Sequence, residues 1–140
     1  MSRLISVVVF GLIVLPSQSM AQPNLLEASI EDLQDWLNSG EITSVELVGW
    51  YQGRIDAYDQ QQPSLNAIQH QNDNALAQAE ALDEERKRSG PRSLLHGIPV
   101  LVKDNYETID MPTTAGSSII DGHWPQRDAT QVARLKAAGA

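Results

Sequence analysis

Lys103 closes an apolar run, and two small polar residues, Asp104 and Asn105, follow it at once. The run Leu95–Val102 holds two valines, an isoleucine and two leucines, with Gly97 near its start and Asn105 beyond its end. That composition predicts a buried strand in a parallel sheet covered on both faces. Side chains alternate along a strand, so Lys103 shares a face with Leu101 and Pro99. An ammonium on such a face is costly unless it is paired or loses its proton. A lysine kept neutral by burial can serve as a general base. The competing reading is a strand-end lysine that lays its stem on apolar surface and keeps its charge in water. Spacing alone favours that second reading.

The wider pattern changes the balance. Gly97–Asn105 is followed by Met111-Pro112-Thr113-Thr114-Ala115-Gly116-Ser117, then by Asp128-Ala129 and by Arg134–Ala140. In order and spacing these blocks resemble the amidase signature family of serine hydrolases. Upstream, Thr43–Val48 and Leu65–Ala67 sit where that family places its second helix and first strand. The resemblance runs from about Leu25 to Ala140, and its specificity comes from the blocks together rather than from any one of them.

The resemblance implies an α/β fold, with helices packed on a mostly parallel mixed sheet. It implies hydrolysis of carboxylic amides by a lysine and two serines, one of them preceded by a cis peptide bond. The family's lysine lies in the Lys-Asp-Asn block, so the resemblance makes Lys103 the catalytic lysine. In that scheme neutral lysine accepts a proton from a bridging serine, which deprotonates the nucleophilic serine. Backbone N–H groups then hold the oxyanion. The implied substrate is a small-molecule amide, and no cofactor or metal is implied.

One departure from the family is large. Its Gly-Ser-rich segment, source of both serines, lies downstream of the block in which this sequence stops, and no such run occurs here. Gly116-Ser117-Ser118 is followed by Ile119 and Ile120 where glycines would be needed, and Ser117 matches the family's Thr-Thr-Ala-Gly-Ser loop, which is not its nucleophile. The expectation is an N-terminal portion of an amidase domain over residues 22–140, truncated before the catalytic serines and inactive alone.

Several elements must position Lys103. Ser29 with Asp32 predicts a capped helix carrying Ile30, Leu33, Trp36 and Leu37 on one face and ending at Gly40. Thr43 with Glu46 predicts a second, with Leu47, Trp50, Tyr51, Ile55 and Tyr58 as its stripe. Its aromatic residues match the aliphatic spacing, which makes them core rather than a binding platform. Leu65–His70 reads as a short strand. Asn72 caps a third helix, Asn74–Arg88, whose charged end from Asp83 to Arg88 reads as a solvated face. Asp128, with Gln131, caps a last helix that Gly139 stops. Loops at the C-terminal ends of parallel strands commonly build the site in α/β folds. Thr113, Thr114, Gly116 and Ser117 are therefore candidates to line a substrate pocket, or equally to form a turn braced by hydroxyls.

The N-terminus carries an address. Arg3 precedes an apolar stretch, Leu4–Leu15, and Pro16 ends it. Ser19-Met20-Ala21 is a small-x-small cleavage site, so residues 1–21 read as a signal peptide for export to the periplasm or medium. The stretch is too short for a comfortable membrane span, so no stable membrane association is expected after cleavage. Removing 21 of 140 residues leaves 119, and takes the formal charge from −8 to −9 because Arg3 leaves. Such an acidic chain is a poor nucleic-acid binder. The absence of cysteine removes disulfides and thiolate metal sites, and His70, His96 and His123 show no ligand spacing. Oligomeric state is not legible.

Two other functions compete. One is a non-catalytic exported module that binds a partner through an unfinished sheet edge. The other is a subunit supplying ammonia in tRNA-dependent amidation, against which the export signal and acidic charge both argue.

Overall fold

The computed structural model describes residues 23–140. The expected signal peptide lies outside the described residues. Four helices follow in order: α1 (Ile30–Ser39), α2 (Ser44–Tyr58), α3 (Ala75–Ser89) and α4 (Thr130–Ala138).

Both expected capping boxes form. The Ser29 hydroxyl accepts from Asp32 N–H at 3.1 Å while the Asp32 carboxylate accepts from Ser29 N–H at 3.0 Å. Thr43 and Glu46 make the same exchange, at 3.1 and 2.8 Å. Gly40 ends α1 in the left-handed region, φ 76°. The starts of α3 and α4 differ from expectation. Asn72 does not cap α3: it accepts from Asn74 N–H at 2.9 Å in the turn before the helix, which begins at Ala75 behind an Asn74 N-cap that makes no side-chain bond. Asp128 does not cap α4, which starts at Thr130 with no side-chain cap. Its carboxylate is already committed to Ile109 N–H and to Lys136.

The core gathers Leu33 and Leu37 of α1, Ile42 between helices, Leu47 of α2 and Ile98. Trp36 and Tyr51 pack half-buried against this cluster and Trp50 meets Tyr51 edge-on, so the aromatics expected in the core lie at its edge. α2 packs on α3, where Ala79 is buried.

The charged end of α3 is more than a solvated face. Asp83 accepts from Ser44 N–H at 2.8 Å and Val45 N–H at 3.2 Å. It thereby satisfies first-turn amides of α2 that have no partner within the helix. Arg86 reaches the other way, donating to the side chains of Gln34 and Asn38 and to the His96 carbonyl at 2.6 Å. Gln34, itself buried, donates to that carbonyl at 2.8 Å. Burial lowers the Arg86 pKa, and Asp83 only partly counters it.

His96 is 0% exposed. Its Nδ1 accepts from Arg92 N–H at 3.3 Å and its Nε2 donates to the Leu82 carbonyl at 2.9 Å, which fixes the Nε2–H tautomer. The C-terminus of α4 docks beside it. Arg92 donates to the Lys136 carbonyl, Ser93 to that of Ala138, and Gly97 N–H to that of Gly139.

No strand is present among the described residues, so the expected mixed sheet is not formed there. The Leu65–His70 strand fails for a visible reason. The buried Asp59 carboxylate takes Ala67 N–H at 2.7 Å and Ile68 N–H at 3.3 Å, which leaves these donors unavailable to a ladder. Those bonds, Ala67 foremost, hold the Asp59 carboxyl below its ordinary value despite its desolvation. The Leu95–Val102 strand fails differently. It opens with turns at Leu95–Ile98, then runs without a neighbouring strand.

Candidate active site

Beyond Ile98, which anchors in the core, Val100 is exposed, and burial alternates only from Leu101 to Asp104. Val102 and Asp104 are half-buried, whereas Leu101 is 79% exposed and Lys103 is exposed. Leu101 and Lys103 thus share a face, as strand alternation requires, but that face is open rather than buried. Among the described residues, the Lys103 ammonium has no hydrogen-bonding or ion-pair partner. Burial therefore supplies no argument here for a neutral lysine, and the Lys103 side chain faces solvent at the mouth of the next loop.

The loop is organised by the residue after the lysine. The Asp104 carboxylate accepts from Thr114 N–H at 3.0 Å, from the Thr114 hydroxyl, and from Gly116 N–H at 3.3 Å. Its backbone carbonyl accepts from Ala115 N–H at 2.9 Å. Desolvation pushes the Asp104 carboxyl up, but the hydroxyl and amide donors outweigh it and hold the carboxyl below its ordinary value.

Around this anchor Thr114–Ser117 makes a tight turn, with Ser117 N–H donating to the Thr114 carbonyl at 2.9 Å. Its central residues, Ala115 and Gly116, have φ of 52° and 68°. Positive φ at both central positions is the type I′ pattern; glycine adopts it freely, whereas alanine does so at a cost. The anchor offsets that strain.

The other expected residues part company. Thr113 is buried, with its N–H on the His123 carbonyl at 3.0 Å and its hydroxyl toward the Tyr106 carbonyl at 3.4 Å. It is structural. The Ser117 hydroxyl accepts from Ile119 N–H at 3.3 Å and makes no bond to Lys103. So Thr114 and Gly116 are joined to the residue beside Lys103, Ser117 closes their turn, and Thr113 serves the loop behind it.

That loop is pinned to α4. Lys136 binds Asp110 and both carboxylate oxygens of Asp128, at 2.9 and 3.0 Å to the latter. Burial lowers the Lys136 pKa, but the two aspartates more than reverse it and raise the pKa overall. Trp124 donates its indole N–H to the Ile109 carbonyl at 2.9 Å.

Two hollows adjoin this region, and neither is lined by Lys103. An apolar cavity of about 170 Å³ lies between α2, α3 and α4, lined by Val48, Ala79, Leu82, Val102 and Leu135 among others. A polar hollow of about 810 Å³ lies around Asp59, Asn66 and His70. Among the described residues no group of three His, Asp or Glu side chains is placed to hold a metal ion. Sequence reasoning did not single out Asp104. Its signal was an acid next to a lysine, nine residues before a threonine pair, which has no meaning until the loop folds back.

The geometry places the chain in a known class. It superposes on the native peptide amidase of Stenotrophomonas maltophilia with a TM-score of 0.79 at 42% identity, covering 81% of this chain and 23% of that one. An amidase family protein from Bacillus anthracis gives the same TM-score at 39% identity, over 83% of this chain and 23% of that one. The profile of the amidase family matches residues 46–140, and the chain belongs to that family.

Curated relatives agree. A glutamyl-tRNA(Gln) amidotransferase subunit of Rhodopirellula baltica is 42% identical over 113 residues, 80% of this chain and 22% of that protein. A putative amidase of Schizosaccharomyces pombe is 40% identical over 128 residues, 91% of this chain and 21% of that protein. The chain spans about a fifth of the length of these curated relatives.

Proposed function

We propose that this chain is the N-terminal part of an exported amide hydrolase in which Lys103 is the general base. The observation that carries the reading is Lys103 itself, standing exposed at the end of its segment within the matched region, next to the turn tied to Asp104. The serines that would complete a lysine–serine–serine relay, and the strands that would cover the Leu101 face, are assigned to a segment beyond Ala140. In that setting a covered Lys103 loses its solvent, which disfavours its charged form. The neutral amine then accepts the bridging serine's proton, and that serine accepts the nucleophile's. The substrate is a small carboxamide. No cofactor enters the scheme.

The test is to sequence past codon 140, express the complete gene product, and assay ammonia release from simple carboxamides. Lys103→Ala is expected to lower the rate by about 10²–10⁴-fold, the usual worth of a positioned general base. Amidase activity surviving that substitution would sink the role of Lys103. Export is tested separately by the mature N-terminus, expected at Gln22; an intact N-terminus on cell-associated protein would contradict it.

The named relative of Rhodopirellula baltica motivates a second reading, in which the protein supplies ammonia within an amidotransferase complex. The formal charge of −8 disfavours contact with tRNA. Activity on free amides without any partner protein would decide for the hydrolase.

A further inference from the structure

Residue 104 receives four donors from one short loop: Thr114 N–H, the Thr114 hydroxyl, Ala115 N–H and Gly116 N–H. Three land on the carboxylate and one on the backbone carbonyl. This convergence has two consequences for the adjacent lysine. Asp104 lies in the turn that follows Lys103, closed by Tyr106 N–H on the Lys103 carbonyl at 3.0 Å. Fixing the Asp104 carboxylate on the loop therefore fixes the course of the chain at Lys103, whose side chain is exposed on the Leu101 side while that of Asp104 is half-buried. The same carboxylate grips the residues on either side of Ala115, whose own N–H is held by the Asp104 carbonyl, and so fixes this non-glycine residue at φ 52°, a conformation that persists only when its surroundings fix it.

We propose that Asp104 is a positioning residue for the amidase reaction: it sets the direction of Lys103 and locks the Thr114–Ser117 turn beside it. The inference rests on the reading of Lys103 as general base. It goes beyond that reading by giving the neighbouring aspartate a task that requires an ionised carboxylate. An asparagine at 104 keeps one carbonyl oxygen but turns an amide NH2 toward loop donors. A valine at 114 deletes the hydroxyl and keeps the backbone amide.

The experiment compares Asp104→Asn, Thr114→Val, the double variant and Lys103→Ala in the complete gene product. Steady-state kinetics are measured together with hydrogen exchange of residues 113–117. Asp104→Asn is expected to lower kcat/KM by about 10–100-fold, the scale of a small misplacement of catalytic groups. The loss falls on kcat as well as KM, because the base itself is misdirected. Exchange at Thr114, Ala115 and Gly116 quickens while that of α4 holds. Thr114→Val gives a smaller loss of the same kind, and the double variant costs no more than Asp104→Asn alone, since both remove one connection.

Additive losses, or unchanged kcat and KM in Asp104→Asn while Lys103→Ala is inactive, overturn the positioning role and leave the lysine's role standing. Full activity in Lys103→Ala overturns the reading of the lysine, and the positioning role with it. A merely structural role for Asp104 predicts less folded protein with unchanged kinetics per folded molecule, and that result also overturns the proposal.

Discussion

Gly97 and Ser44 show how tightly single positions are set. Gly97 has φ 79°, and a Cβ there would lie 2.1 Å from the Ser44 hydroxyl. Gly97→Ala must therefore bear both left-handed strain and a clash with a fully buried neighbour, a cost of about 2–4 kcal/mol. Chemical denaturation of the complete gene product measures it, and a cost under about 1 kcal/mol would mean that the backbone here yields. Ser44→Ala tests the same contact from the other side. Its hydroxyl is buried with no partner among the described residues, so removing it relieves a desolvation penalty. The expected change runs from neutral to about 1 kcal/mol more stable, and a clear destabilisation would reveal a partner for that oxygen. Lys103 is conspicuous in the sequence because a charge after an apolar run is unusual whatever the fold. Asp104 is not, because its meaning lies in contacts made ten to twelve residues later in the chain.

Elements whose signals are local are legible. The Ser29–Asp32 and Thr43–Glu46 boxes close within three residues, and Gly40 and Gly139 stop their helices in the left-handed region as expected. Asp128 fails as the expected cap of α4 because tertiary partners win the competition for its carboxylate. Desolvation pushes that carboxyl up, but Ile109 N–H and Lys136 more than reverse it and hold it below the ordinary aspartate value of 3.8. The sign for stability follows. A group with a depressed folded pKa stabilises fully above its unfolded value and loses that contribution as pH falls through the folded one. Asp128→Asn should therefore destabilise the complete gene product near pH 6, and the gap to wild type should close as pH drops below 3.8. Midpoints of urea unfolding at both pH values check this, and a gap independent of pH would remove the ion pair from the account. Asp83 gives a companion case at α2. Asp83→Ala strips the acceptor from two first-turn amides and should cost about 1–2 kcal/mol.

At the scale of the whole molecule, the helices are readable and the sheet is not formed, for one physical reason. Helices satisfy their backbones within themselves, whereas a strand needs another strand about 4.8 Å away. The N–H groups of Val100, Leu101 and Val102 donate to no carbonyl among the described residues. Val100 and Leu101 are exposed, and Ile119 is 92% exposed. Apolar segments with free backbone donors are templates for pairing with another chain. Residues 22–140 expressed alone should therefore self-associate, bind a hydrophobic dye such as ANS, and unfold over a broad temperature range. Leu101→Lys places a charge on this open face without touching the core formed by Leu33, Leu47 and Ile98. It should raise solubility and lower dye binding in the isolated chain. In the complete gene product, where the proposed strands cover that face, the same substitution should instead destabilise, because a buried ammonium without a partner is costly. Opposite signs in the two contexts would locate the missing sheet neighbours at Leu101. A monomeric isolated chain with a sharp thermal transition and no dye binding would mean that this face needs no cover, and would end the argument that the Lys103 segment is a strand awaiting its partners.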